Sequence, residues 1–497
     1  MKKSLFLFLL LPLTLLYSCK EPIVEVKNTL TVSPDTLTFY MDGGKDTFAI
    51  TTNTREWTIS SSATWVSTSV SFGIAKQKDI IVTAESNAAN TARNAVLTIA
   101  GEGADTVYVL VKQIVKPTTA DLYPSYSTPI AADQTGMTSD AKTLAKQIFM
   151  GWNLGNTLEV PGGETGWGNP KATQLLIDSV KAAGFNAVRL PCAWNSYIEN
   201  TATCKIKESW LARVKEVIDY CYKNKMYVIL NIHWDGGWLE NNVTTTKQLV
   251  NNAKQKAIWE QIAMYLRDYD EHLMFAGANE PNVDNATQMG VLLTYHQTFV
   301  DAVRGTGGRN AYRTLVIQGP NTDITKTSQL MSKMPTDNVA NRMMAEVHFY
   351  TPWNFCGMDK DETWGSMFYY WGNGYHSTTD TGRNATWGEE SEVNRLFGLM
   401  KTKFADKGIP VIMGEFGAMR RSTLTGDNLT KHLASRAYFY EYVFKQAKNN
   451  GLVPFLWDTG IHGNNDMGVI VRSTGVIGDR QAYNALKNGA TAGNYPF

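Results

Sequence analysis

From about residue 137 onward, short apolar runs alternate with helical stretches, and that alternation restricts the fold more than any other feature of the chain. The strand candidates are Phe149 to Leu154, Asn186 to Leu190, Met226 to Ile232, Leu273 to Ala278, Thr314 to Ile317, Arg342 to Phe349, Val411 to Gly414 and Val453 to Trp457. Between them lie helical stretches such as Lys171 to Ala183, Glu208 to Lys223, Lys254 to Arg267, Gln288 to Arg304, Ser391 to Asp406 and Leu429 to Asn449. Strands separated by crossover helices pair in parallel, which gives an α/β fold. Eight of them is the count for a closed (β/α)8 or TIM barrel. An open doubly wound sheet competes, but it normally carries a glycine-rich phosphate turn after its first strand, and none occurs here.

In such a barrel every strand would end at one rim, where barrel enzymes keep their chemistry. The second strand ends in Arg189-Leu190-Pro191, the third in His233-Trp234 and the fourth in Asn279-Glu280-Pro281. The sixth ends in His348-Phe349-Tyr350, the seventh in Glu415-Phe416-Gly417 and the eighth in Trp457-Asp458. Glu280 and Glu415 would therefore share one cleft, and a facing pair of carboxylates is what glycosidic bond cleavage needs. There is no HExxH zinc motif, GxSxG elbow or Walker loop. Asp359 and Asp361 suggest a calcium loop, but Trp364 stands where that loop requires glycine, so they read as solvated charges and neither metal nor cofactor is implied.

The region before the barrel is of another kind. Residues 28–115 read as short β-strands with turn chemistry such as Asp42-Gly43-Gly44 between them, which predicts a small immunoglobulin-like sandwich. Residues 116–136, with Pro117, Pro124 and Pro129 among Thr, Ser and Ala, read as an extended linker, leaving 137–497 for the barrel. At the start, Lys2-Lys3 precede an apolar stretch from Leu5 to Leu16, the pattern of a signal peptide over 1–18. Leu16-Tyr17-Ser18-Cys19 resembles a bacterial lipobox, so Cys19 is the expected lipidation site, 19–27 the anchor segment, and the outer membrane, cell surface or periplasm the expected location. Cys192, Cys204, Cys221 and Cys356 are even in number in an exported chain, and their pairing stays open. With 47 basic against 46 acidic residues, net charge +1, the chain offers no footprint for a phosphate backbone, and nucleic acid is excluded as a partner. The 14 Trp and 22 Tyr point instead to sugar, whose C–H faces pack on flat rings.

Two resemblances sharpen this reading. Trp57-Thr58-Ile59, Trp65-Val66, Asn87, Arg93 and Val111-Lys112-Gln113 resemble the BACON module, a resemblance that implies carbohydrate binding, against which stands the reading that Trp57 and Trp65 plug the sandwich core and the module is a spacer. Gly151-Trp152-Asn153-Leu154-Gly155-Asn156-Thr157, Glu164, Trp167-Gly168-Asn169-Pro170, Val188-Arg189-Leu190-Pro191, Asn279-Glu280-Pro281, His348-Phe349-Tyr350 and Gly414-Glu415-Phe416-Gly417 resemble glycoside hydrolase family 5, in particular its subfamily 4. That resemblance implies a retaining endo-β-1,4-glucanase acting on cellulose, mixed-linkage glucan or xyloglucan. It implies Glu280 as acid/base and Glu415 as nucleophile, supported by Arg189 and Tyr350. Asn279, His233, His348, Trp457, Asn156 and Trp353 would contact sugar. Glu280 should then have its pKa raised by burial and by the charge of Glu415, while Arg189 holds Glu415 ionised. A mannanase of related fold and a barrel that only binds polysaccharide are the alternatives. The insertion 351–389, with Trp353, Trp364, Phe368, Tyr369, Tyr370, Trp371, Tyr375 and Trp387, is either a wall of the cleft or a self-packed core.

Overall fold

The computed structural model describes residues 28–74, 77–89, 91–115 and 122–497, so the leader, Cys19 and the anchor segment lie outside the described residues. Two compact units divide after residue 117.

The larger unit is a closed barrel of eight strands, each parallel to its neighbours. They are β1 (Gly151–Asn153), β2 (Ala187–Leu190), β3 (Tyr227–Asn231), β4 (Leu273–Ala276), β5 (Leu315–Gln318), β6 (Met343–Phe349), β7 (Val411–Phe416) and β8 (Leu452–Leu456). All eight expected strands form. The connecting helices are α1 (Gln174–Ala182), α2 (Glu208–Lys223), α3 (Gln248–Tyr265), α4 (Ala286–Arg304), α5 (Ile324–Leu330), α6 (Glu390–Lys403) and α7 (Gly426–Asn449), with α8 (Arg480–Ala492) closing the circuit. Side chains of Thr173, Asn285, Asp323 and Asp479 accept backbone N–H groups of the first turns of α1, α4, α5 and α8, contacts that typically add about 1 kcal/mol each. Helix α3 starts at Gln248, ahead of the expected Lys254, because it buries Asn251, Asn252, Gln255, Glu260 and Gln261, which hide its apolar stripe.

Alternate residues of each strand face inward, and these build a core in which Ala187, Ile229, Met274, Ala276, Val316, Met344, Ile412, Val453 and Phe455 pack together. Helix Ala141–Gln147 closes it with Leu144 and Ala145. The other face of each strand, including Trp152, Val188, Leu230, Phe275, Ile317, Val347 and Met413, packs under the helices. The expected linker behaves differently over its described part. Residues 122–136 lie on the barrel, with the Tyr126 amide donating to Glu260 (2.7 Å), the Tyr126 hydroxyl to Thr203 O (2.9 Å) and Ile130–Ala132 pairing with Gly307–Gly308.

The smaller unit is a two-sheet sandwich. Strands Leu30–Ser33, Gly44–Thr52, Gln77–Ala84 and Val66–Thr68 make one sheet; Thr36–Tyr40, Val107–Ile114, Arg93–Gly101, Trp57–Ser61 and Phe72–Gly73 make the other. The strands at Val66 and Phe72 are too short to show a period of two. Trp57 is buried, as expected, and a Cβ on Gly73 would fall 2.1 Å from its ring. Trp65 is half-buried against the core beneath the Arg93 guanidinium (4.2 Å). Arg93 Nε donates to Gln113 (2.7 Å), and buried Gln113 donates to Tyr40 O and Glu85 O, so these motif residues form one locked corner. Cys192, Cys204, Cys221 and Cys356 are all buried free thiols.

Candidate active site

Near the C-terminal ends of the strands the inward positions turn polar. Asn153, Arg189, Asn231, Gln318 and Glu346 follow apolar residues two positions earlier on their strands, and all five are buried. Parity alone would turn Glu415 outward, since Ile412 faces in. A β-bulge corrects this: Val347 pairs with Met413 but His348 pairs with Glu415, so Gly414 is the extra residue and Glu415 swings beside His348. Asn153 Nδ2 donates to the Gly414 carbonyl (2.8 Å) and holds the bulge. A Cβ on Gly414 would sit 2.0 Å from Glu346 Oε1, so only glycine fits.

Arg189 is the hub of the site. Its Nη1 donates to Glu415 Oε1 (2.9 Å) and Asn153 Oδ1 (3.0 Å), its Nη2 donates to Asn279 Oδ1 (2.8 Å), and its Nε lies 3.0 Å from Glu346 Oε1. Tyr350 donates its hydroxyl to Glu415 Oε2 (3.1 Å). On the other side His348 Nδ1 lies 2.7 Å from Glu280 Oε1 and 3.6 Å from Glu415 Oε2, and its Nε2 lies 3.4 Å from Glu346. One oxygen each of Glu280 and Glu415 and one nitrogen of His348 all fall within 4.8 Å of one another. Three such atoms could ligate a cation, but both imidazole nitrogens face carboxylates, and hydrogen bonding accounts for the cluster.

The charges differ from expectation in one respect. Burial opposes the charge of Glu280, but His348 and Arg189 outweigh it and hold the carboxyl below its usual range. Burial raises Glu415, which His348 and Arg189 only partly offset and which Glu280 adds to. The expected order is reversed because the Glu280 side chain is 44% exposed and touches a cation, whereas that of Glu415 is 8% exposed. His348 is itself held up to about 10: burial works against its charge, and Glu415, Glu280 and Glu346 overcome burial. These directions make the imidazole the more basic partner of the Glu280–His348 pair.

The remaining expected residues line this centre. The His233 ring lies parallel to that of Trp457 with centroids 5.8 Å apart, and burial together with Arg189 keeps it neutral. Trp457 packs over Gly155, next to Asn156, whose amide donates to Glu159. Asp458 is structural: its carboxylate accepts from Trp152 Nε1 and the Ile470 amide. Trp353 is exposed and stands edge-on to Tyr350 at 6.2 Å. In the insertion both readings hold, for different residues. Phe368, Tyr370 and Trp371 are buried, while Trp353, Trp364 and Trp387 are exposed, and Asp361 pairs with Arg383. With Trp167 and Trp234, these make every exposed tryptophan among the described residues part of a loop leaving the C-terminal end of a barrel strand.

Three buried carboxyls close to the centre were not anticipated. Glu346 accepts from Gln318 Nε2 (2.6 Å), and its position was readable from the in-facing series Met344, Glu346, His348. Glu240 accepts the Glu280 amide (2.7 Å) from a loop after β3, and Glu159 accepts the Thr157 amide (2.8 Å) after β1. Loop placement gives these last two no periodic signal. Burial pushes both to about 7.

The family model described as cellulase, glycosyl hydrolase family 5, matches residues 153–463, and that of the viral BACON domain matches residues 29–116. The xyloglucan-specific endo-beta-1,4-glucanase BoGH5A of Bacteroides ovatus is 36% identical over 480 residues, which is 92% of this chain and 91% of that protein. Endoglucanase A of Paenibacillus barcinonensis is 35% identical over 385 residues, covering 72% of this chain and 92% of its own. Among solved structures, the Bacteroides ovatus GH5 xyloglucanase in complex with a XXXG heptasaccharide aligns with TM-score 0.69 and 34% identity over 93% of this chain and 100% of that one.

Proposed function

The chain belongs to glycosyl hydrolase family 5, a family of endo-β-1,4-glucanases and xyloglucanases, and bears a BACON module at its front; from that premise we propose that it is a retaining endo-β-1,4-glucanase in which Glu415 attacks and Glu280 moves the proton. The observation that carries this is the approach of Glu280 and Glu415 oxygens to within 4.8 Å. Retention works with carboxyls about 5 Å apart, whereas inversion needs a wider gap to admit water between carboxylate and sugar.

Each half of the reaction follows from the contacts. Arg189 and Tyr350 hold two different oxygens of Glu415, which leaves the carboxylate aimed and ionised for attack on the anomeric carbon. Sugar entering the cleft covers the exposed side of Glu280 and removes its water. Lost hydration favours the neutral acid, so the proton crosses from His348 Nδ1 to Glu280 and from there to the leaving oxygen as the glycosyl ester forms. Glu280, now a carboxylate, takes a proton from the water that cleaves the ester. Asn279, whose carbonyl oxygen is held by Arg189, is the candidate partner of the sugar 2-hydroxyl, and Trp457 the platform under the ring being cut.

The substrate is a β-1,4-glucan chain, with xyloglucan the first choice. A relative named for that polysaccharide aligns along nearly the whole chain, and the exposed tryptophans at the rim suit a long decorated glycan. Comparing rates on xyloglucan, lichenan, carboxymethylcellulose and mannan tests this; fastest turnover on mannan would overturn it. The acid role has its own test. Glu280→Ala should lose about 10²–10⁴-fold on polysaccharide, the usual range for a general acid, yet still give a burst of phenol from an aryl cellobioside whose leaving group needs no proton. Equal losses on both substrates, with no burst, would remove Glu280 from that role.

Export as a lipoprotein belongs to the same reading. Cys19→Ser is expected to shift the protein from the membrane to the soluble fraction of cells and to abolish incorporation of labelled palmitate. Unchanged partition would discard the anchor.

A further inference from the structure

Glu346 is fully buried, lies on an inward position of β6, and has no part in the two half reactions. Its surroundings are unusual. Oε1 lies 3.0 Å from Arg189 Nε and 3.4 Å from His348 Nε2, while Oε2 accepts from Gln318 Nε2 at 2.6 Å. Arg189 in turn reaches Glu415 and His348 reaches Glu280, at 2.9 and 2.7 Å. We propose that Glu346 is the shared counter-ion of the site, a positioning residue that ties together the two cations touching the two reacting carboxylates. The inference rests on the roles given above to Glu280 and Glu415.

The physical argument starts from charge. Arg189, His348, Glu280, Glu415 and Glu346 are joined by a chain of ion-pair contacts, with His233 neutral, Tyr350 a neutral donor, and the buried carboxyls Glu240 and Glu159 nearby. Two cations facing only Glu280 and Glu415 would repel each other across the cleft, and Arg189 would lose its charged partner when the glycosyl ester forms on Glu415. Glu346 is the one carboxylate that keeps its charge through both steps. It holds His348 Nε2–H, so Nδ1–H points at Glu280 and the proton has a fixed place of departure and return. Proton transfer within the pair breaks His348 Nδ1–H and forms Glu280 O–H, leaving a neutral imidazole whose Nε2–H still faces Glu346; the reverse transfer follows deglycosylation. The absence of a side chain at Gly414 keeps the room that Glu346 occupies.

Removing one negative charge from this cluster lowers the proton affinity of every neighbour. In Glu346→Gln, which keeps the shape, both limbs of the kcat/KM profile should therefore move to lower pH, the alkaline one by about one unit or more. A role in packing alone would lower the rate with both limbs unmoved, and that outcome overturns the proposal. Imidazole ¹⁵N spectra of the full chain give a second reading that does not depend on the variant folding: His348 should be doubly protonated at pH 8 in the unsubstituted protein, and a neutral His348 at pH 7 overturns the proposal. Trapping with an activated 2-deoxy-2-fluoro cellobioside separates the two levels. Labelled Glu415 with unmoved limbs in Glu346→Gln discards the counter-ion alone, whereas failure to label Glu415 in the unsubstituted protein discards the double-displacement reading.

Discussion

Glu415→Ala is expected to lower kcat on xyloglucan or lichenan on the order of 10⁵-fold, the scale on which loss of a catalytic nucleophile registers. The fold should survive, because Glu415 sits at the open end of the barrel and Arg189 keeps Glu346 and two asparagine oxygens as partners. Azide should restore part of the lost rate: the methyl of alanine leaves a space beside the anomeric carbon, and a small anion entering there meets Arg189 and Tyr350, which are arranged to receive negative charge. The product would be a glycosyl azide of α configuration, since one displacement replaces two. Circular dichroism, reducing-sugar release and product NMR check the three parts. Retained turnover in the purified variant would remove Glu415 as nucleophile, and a β-configured azide would move the nucleophile elsewhere.

Much of this arrangement could be read from residue order, because a parallel barrel places strand ends together whatever the packing details. Strand period and helix length gave eight strands, and the tails His348-Phe349-Tyr350 and Asn279-Glu280-Pro281 gave the rim. What escaped notice has identifiable causes. The bulge at Gly414 leaves no trace in hydrophobic period, yet it alone turns Glu415 inward. The in-facing series Met344, Glu346, His348 gives the position of Glu346, but its role is invisible until the partners Arg189 and Gln318 come in from β2 and β5. Glu240 depends on a loop path that no local pattern reports. The proton distribution was inverted for a similar reason: motif position says that Glu280 and Glu415 are neighbours, but only geometry says that the imidazole lies 2.7 Å from one and 3.6 Å from the other.

The same hub that organises the chemistry also carries stability. Arg189→Met would leave buried Glu346 without its guanidinium, with only Gln318 and His348 beside it, and Glu415, Asn153 and Asn279 would each lose a donor. Breaking a buried ion pair from one side costs about 3–5 kcal/mol, because the stranded charge has no water to turn to. The melting transition of the barrel should fall accordingly, and loss of the positive charge should raise Glu415 further above its usual range, moving the acidic limb of the pH profile to higher pH. Arg189→Lys separates the two contributions. A lysine restores one cation, so most of the stability should return, but a single ammonium cannot hold Glu415, Glu346 and Asn279 in their present directions, and kcat/KM should remain low. Lysine-variant activity equal to that of the unsubstituted protein would show that charge suffices and geometry does not matter. An unchanged melting temperature in Arg189→Met would contradict the buried network on which the proposed reaction rests.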